Sequence, residues 1–177
     1  QQTEFEVLEM LQRNHQWMVE GGIGTGKNFM ALKQAEIVAQ QGEGRDVLFL
    51  VYHLPLAKRM KALVAKLDLE RGSIAVRSWE DLVYEIVRYH QTVPKPPPAD
   101  APLVQDLFDP KTIYYSETLP TLVDDAFAAG AVPASYDALV VPEAQDHTTD
   151  SPQSVEPVGW WGWYFKLLKA GTAAPIY

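Results

Sequence analysis

Apolar residues along the chain follow two alternating patterns. Continuous apolar runs occur at 46–52 (DVLFLVY) and 136–141 (YDALVV), with shorter ones at 17–20, 73–77 and 174–177. A short apolar run without alternation marks a strand buried on both faces. Between these runs, apolar positions recur every three to four residues. The first such set is Phe5, Leu8 and Leu11, followed by the stretch 27–41 and then by Leu56, Met60, Leu63, Val64 and Leu67. Further sets are Trp79, Leu82, Val83, Ile86 and His90; Leu119, Leu122, Val123, Ala126 and Phe127; and the aromatic stretch 160–168. That period predicts helices. Gly42 and Gly44 close the helix at 27–41, and Ser78 with Asp81 three residues later predicts an N-cap. Strands alternating with helices predict an α/β fold, a parallel sheet with helices on both faces.

Prolines 94, 96, 97, 98, 102 and 110 interrupt the alternation. They predict a long surface loop or small insertion over 93–110. Pro152, Pro157 and Gly159 break a second stretch before the aromatic helix. No internal repeat is visible, and 177 residues suit a single domain with a sizeable core.

Composition narrows the function classes. There are no cysteines, so neither disulfides nor thiolate metal sites hold the fold. The four histidines, His15, His53, His90 and His147, lack the spacing of a metal site, and no metal ligand is expected. The net charge of -8 argues against a free-standing nucleic-acid binder, which usually carries a basic surface. No apolar run approaches the ~20 residues needed to span a bilayer, and no signal peptide precedes the first helix. The expectation is a cytoplasmic chain without a membrane partner.

The chemistry concentrates at residues 21–28, Gly-Gly-Ile-Gly-Thr-Gly-Lys-Asn. Gly21, Gly26 and Lys27 fit the G-x-x-x-x-G-K-[ST] frame of a phosphate-binding loop. Glycines let the backbone curl so that several N–H groups face one oxyanion, and the following helix adds its positive end. Gly21, Gly22, Gly24, Thr25, Gly26, Lys27 and Asn28 are the candidate cofactor-binding residues, for ATP or ADP. The bland alternative is a glycine-rich strand-to-helix turn without a ligand. A second segment, 136–146, reads Tyr-Asp-Ala-Leu-Val-Val-Pro-Glu-Ala-Gln-Asp. An apolar strand ending in Asp-Glu is what P-loop ATPases use to hold magnesium and activate water; here Pro142 takes the Asp position and Glu143 is kept.

Together, VEGGIGTGKN and YDALVVPEAQD resemble the first RecA-like ATP-binding domain of UvrD/Rep-type superfamily 1 DNA helicases, whose pattern is a G-x-G-K-T loop and a D-E-x-Q box. The segment 51–59 (VYHLPLAKR) resembles the stretch after the second strand, which touches single-stranded DNA in that family. The segment 76–82 (VRSWEDL) resembles the next DNA-side stretch. Residues 5–8 resemble the adenine-side helix, with its base-reading glutamine near Glu4, Gln1 or Gln2. Trp160, Trp161 and 174–177 resemble the helix and strand after the box. The likeness spans nearly the whole chain. It implies a P-loop NTPase fold and a nucleotide ligand. It also implies single-stranded DNA as a partner in the full-length context, and a second RecA-like domain whose sequence is absent here, so that the chain reads as a fragment.

Within that resemblance, Glu143 is the candidate catalytic base and Gln145 the candidate γ-phosphate sensor; their bland readings are a solvated carboxylate and a loop hydrogen bond. The chain departs from the family at Asn28 and Pro142, the two protein-side magnesium ligands. An Asn amide oxygen carries no charge, and a proline side chain offers no ligand atom. Losing one preorganised electrostatic group commonly costs ~10²–10³ in rate. Hydrolysis is therefore expected to be very slow or absent, with magnesium poorly held. Lys58, Arg59, Lys61 and Lys66 form a charged helix face, solvated or DNA-facing. His53 could stack on a base or simply lie at the surface. Trp160, Trp161 and Trp163 could form a base-stacking platform or belong to the core. Three functions stay open: a degenerate helicase-like nucleotide-binding domain, a non-catalytic scaffold with a vestigial loop, and part of a working DNA-dependent ATPase.

Overall fold

The computed structural model describes residues 26–102, 109–147 and 160–177. Its centre is a three-stranded parallel sheet of β1 (Asp46–Val51), β2 (Ser73–Ser78) and β3 (Ala138–Val140), in the order β2-β1-β3. Helix α1 (Lys27–Ala39) precedes β1, and α2 (Leu54–Val64) crosses from β1 to β2. Then follow α3 (Trp79–Arg88), a short α4 (Pro110–Ile113), a π-helical turn (Tyr114–Thr118) and α5 (Leu119–Ala128), which together connect β2 to β3. Last comes α6 (Trp161–Leu167). The end of the chain lies beside β3, where Leu139 and Ile176 form a parallel bridge.

Side chains of β1 alternate between two cores, as a strand's period of two requires. Val47, Phe49 and Val51 pack with Leu32, Ala35 and Val38 of α1 and Ala57 and Met60 of α2. Leu48 and Leu50 pack on the other face with α3, α5 and α6. Helices thus cover both faces, as the apolar run at 46–52 predicts. The run is apolar throughout because neither face meets water.

Several local expectations hold. Ser78 accepts a hydrogen bond from the Asp81 N–H at 3.1 Å and caps α3. The strands at 46–52, 73–77 and 136–141 and the helices at 27–41 and 119–127 appear with slightly shifted ends. Two details differ. His90 lies beyond the end of α3 and is exposed, because Arg88 is the last helical residue. The interval 93–110 does not run loop-like to its end: Asp109 caps Lys111 and Thr112, so Pro110 opens a helix at the position where a missing N–H costs nothing. The expected strand at 17–20 and helix at 5–11 lie outside the described residues.

At the N-terminal edge of the sheet, the Asp137 carboxylate accepts the Asp46 N–H at 2.8 Å and the Lys169 ammonium at 3.0 Å. Asp46 in turn accepts the Ser73 hydroxyl at 2.8 Å. No helix among the described residues is long and apolar enough to cross a membrane.

Candidate functional site

β1 and β2 are joined on one side of the sheet, and the chain then crosses back to place β3 on the other side of β1. A crevice lies beyond the carboxyl end of β3, the end of the strands at which open α/β sheets bind ligands. Lys27 reaches this crevice from the first turn of α1. Gly26 precedes it at φ 79°, a left-handed conformation that disfavours any residue with a Cβ. Its carbonyl accepts the N–H groups of Phe29 and Met30 at 2.9 and 3.0 Å, which starts the helix. No side chain caps this terminus, and no acidic residue sits in its first turn.

Lys27, Met30, Ala31 and Gln34 on α1 face Val141, Pro142 and Tyr177 across an open cleft of about 50 Å³. The two segments singled out in the sequence, 21–28 and 136–146, thus meet here through Lys27 and Pro142. Gly26 and Asn28 flank Lys27. Glu143 follows Pro142, and Gln145 lies in the 3-10 turn Ala144–His147. Gly21, Gly22, Gly24 and Thr25 lie outside the described residues.

Glu143 is half-buried. Its Oε2 is buried and has no hydrogen-bond partner. Burial holds its carboxyl above the usual carboxylate range, the nearby Asp146 adds to the rise, and the charges of His53 and Lys27 oppose it. Lys27, His53 and Glu143 are therefore close enough to sense one another at the same end of the sheet.

Two contributors escaped the sequence. Gln34 is 1 % exposed, bonds to the Tyr177 hydroxyl and leaves Oε1 unpartnered. It stands two helical turns beyond Lys27 on the same side, a spacing that a helical projection from Lys27 would have shown. His147 is fully buried: its Nδ1 lies 2.8 Å from the Tyr164 hydroxyl, and its Nε2 has no partner. Burial pushes its imidazole down to about 4, with Asp146 opposing and His53 reinforcing.

The tryptophans belong to the core. Trp160 and Trp163 are buried, and Trp160 stacks on Tyr52 at 6.0 Å and packs on Trp79 at 4.4 Å. Trp163 donates its Nε1–H to Asp124 at 2.7 Å. Neither of these two buried rings has a face open to a nucleotide, and Trp161 is half-buried against the same core. His53 is exposed at the start of α2, and Lys58, Arg59, Lys61 and Lys66 are exposed along it and just past its end. Lys61 pairs with Asp81 at 3.1 Å.

The donor set beside Lys27 does not fit a magnesium ion held by the protein. Pro142 contributes no donor atom, Asn28 a neutral amide, and the Oε2 of Glu143 is buried. Among the described residues no group of three His, Cys, Asp or Glu side chains could hold a metal ion. A lysine ammonium beside an uncapped helix start does suit a phosphate group. Comparison of the chain with family models, curated proteins and solved structures returned no match.

Proposed function

We propose that this chain is a nucleotide-binding domain of superfamily 1 helicase-like type, a P-loop fold that holds the phosphates of ATP or ADP and hydrolyses them very slowly or not at all. One observation carries the reading. Lys27, following a left-handed Gly26 at a helix start, and Pro142, just past the end of β3, line one cleft at the carboxyl end of a strand of a parallel sheet. The described part of the site accommodates a phosphate rather than a whole nucleotide, since about 50 Å³ is far below the ~300 Å³ of a small-ligand pocket. Base and sugar would need residues beyond the described cleft.

In this reading Lys27 neutralises the outer phosphates. Glu143 would accept the proton of an attacking water, and burial raises its affinity for that proton. The weak link is electrostatic: without a held metal ion, Lys27 alone balances the β,γ-phosphate charge. Single-stranded DNA would meet the exposed His53, Lys58 and Arg59.

Calorimetric titration with ADP, with magnesium and with chelator, tests this. Binding at micromolar to low millimolar concentration that does not depend on magnesium is expected. No binding at millimolar ADP would sink the reading and leave the scaffold alternative. Turnover of ATP stimulated by single-stranded DNA would instead make the chain part of a working motor.

A further inference from the structure

The segment 92–98, Thr-Val-Pro-Lys-Pro-Pro-Pro, plays no part in the phosphate site. Each of residues 93–98 is a proline or directly precedes one. Proline locks φ near −65°, and a residue before proline is pushed out of the helical region toward extended backbone. The run therefore has one low-energy form, the left-handed polyproline II helix. The structure agrees: residues 92–98 carry no helix or strand, and no described peptide bond is cis.

The run is anchored to the domain near its start. Val93 packs against the core, and the carbonyl of Pro94 accepts the hydroxyl of the buried Tyr114 at 2.7 Å. At the far end the Ala101 N–H bonds to the Pro98 carbonyl at 3.1 Å and turns the chain. Between these points Lys95, Pro96 and Pro98 are exposed, and Pro97 is half-buried. A proline run serving as an internal strut would bury its rings. This one keeps most of its rings in water, with a cation among them.

We infer that residues 94–98 are a presented recognition strand for a protein module with an aromatic-lined polyproline groove and an acidic rim. Such grooves take preformed polyproline II segments, whose ordering entropy is already spent. The aromatic groove matches the exposed pyrrolidine rings, and the acidic rim matches Lys95. This inference is independent of nucleotide binding.

The test uses the whole chain as titrant and two 15N-labelled probes, an isolated SH3 domain and an isolated WW domain, read by NMR. Saturable shifts of groove residues in at least one probe are expected. Replacing Pro94, Pro96, Pro97 and Pro98 together by alanine should weaken that binding at least ~10-fold. Lys95→Glu, which leaves the prolines in place, should weaken it about 5-fold and more so at low salt. Circular dichroism melting checks that each variant is folded. Absence of saturable shifts with both probes overturns the inference. So does binding that survives the alanine variant, or binding that the Lys95→Glu variant leaves unchanged.

Discussion

The imidazole Nδ1 of His147 sits 2.8 Å from the hydroxyl of Tyr164, and both side chains are buried among Tyr52 and Trp160. The pair joins the turn after β3 to the last helix. It is also a pH liability, because the ring stays neutral in the fold. Its folded pKa, about 4, lies below the ordinary value of 6.5. The unfolded chain then binds the extra proton between these values. The neutral ring's contribution is fully present above about pH 6.5 and is lost as pH falls toward 4. Urea unfolding from pH 7 to pH 4 should show a loss of roughly 3 kcal/mol from this group. In His147→Gln, which can still accept the Tyr164 hydroxyl, the pH dependence in that window should flatten. An unchanged slope would remove His147 as its source.

Glu143 works in the opposite sense. Its folded pKa is raised, so the folded state holds its proton more tightly than the unfolded state does. Stability from this group is present at low pH and is lost as pH rises through the unfolded and then the folded value. Glu143→Gln should therefore raise the melting temperature at pH 7 by about 1–3 °C and change it little at pH 4. The same substitution should leave ADP affinity within about 2-fold, because the role assigned to Glu143 is in the chemical step rather than in binding. A lower melting temperature at pH 7 would mean that the carboxylate has a stabilising partner.

Two glycines separate backbone strain from crowding. Gly72 has φ 72°, and a Cβ there would lie 2.0 Å from the Ala39 carbonyl oxygen and 2.7 Å from that of Arg45. Gly130 has a similar φ of 66° but open space around it. Gly130→Ala should cost about 1 kcal/mol, the strain of the left-handed conformation alone. Gly72→Ala should cost about 3 kcal/mol or more, because backbone atoms of α1 and of the start of β1 would have to move. Denaturant titration of both variants checks the difference; equal costs would refute the close approach.

The magnesium argument is open to reversal by mutation. If Asn28 and Pro142 are what loosened the ion, Asn28→Thr with Pro142→Asp should make ADP binding depend on magnesium by at least ~10-fold. Each single variant should recover less, since both positions act on one ion. Calorimetry with and without magnesium reads this directly, and a double variant still indifferent to magnesium would count against the proposed site.

Strands and helices were legible wherever burial was one-sided or complete, because apolar periodicity reports burial. The run at 46–52 and the stripe led by Trp79 are examples. The helix start at Pro110 was hidden because prolines were read only as breakers, although Asp109 supplied a cap. In the site, Lys27, Pro142 and Glu143 stood out through their motif frames. Gln34 and His147 did not, since a polar residue inside a helix or after a strand looks solvated until the packing around it is known. The tryptophans allowed two readings for a related reason: a cluster of large rings has the same composition in a core as on a binding platform, and only exposure separates the two.

Asp46 acquires a particular importance from the two-sided burial of β1. A strand that is apolar on both faces cannot use polarity to reject a one-residue slip, since the slip only exchanges one apolar face for another. The check must come from an end. Asp46 supplies it by joining all three strands at one level: it accepts from Ser73 on β2, and its own N–H donates to Asp137 beside β3. A shift of β1 by one position would break both bonds at once. This single carboxylate and its backbone N–H thus act as the alignment mark of the sheet, at the edge opposite the cleft beside Lys27.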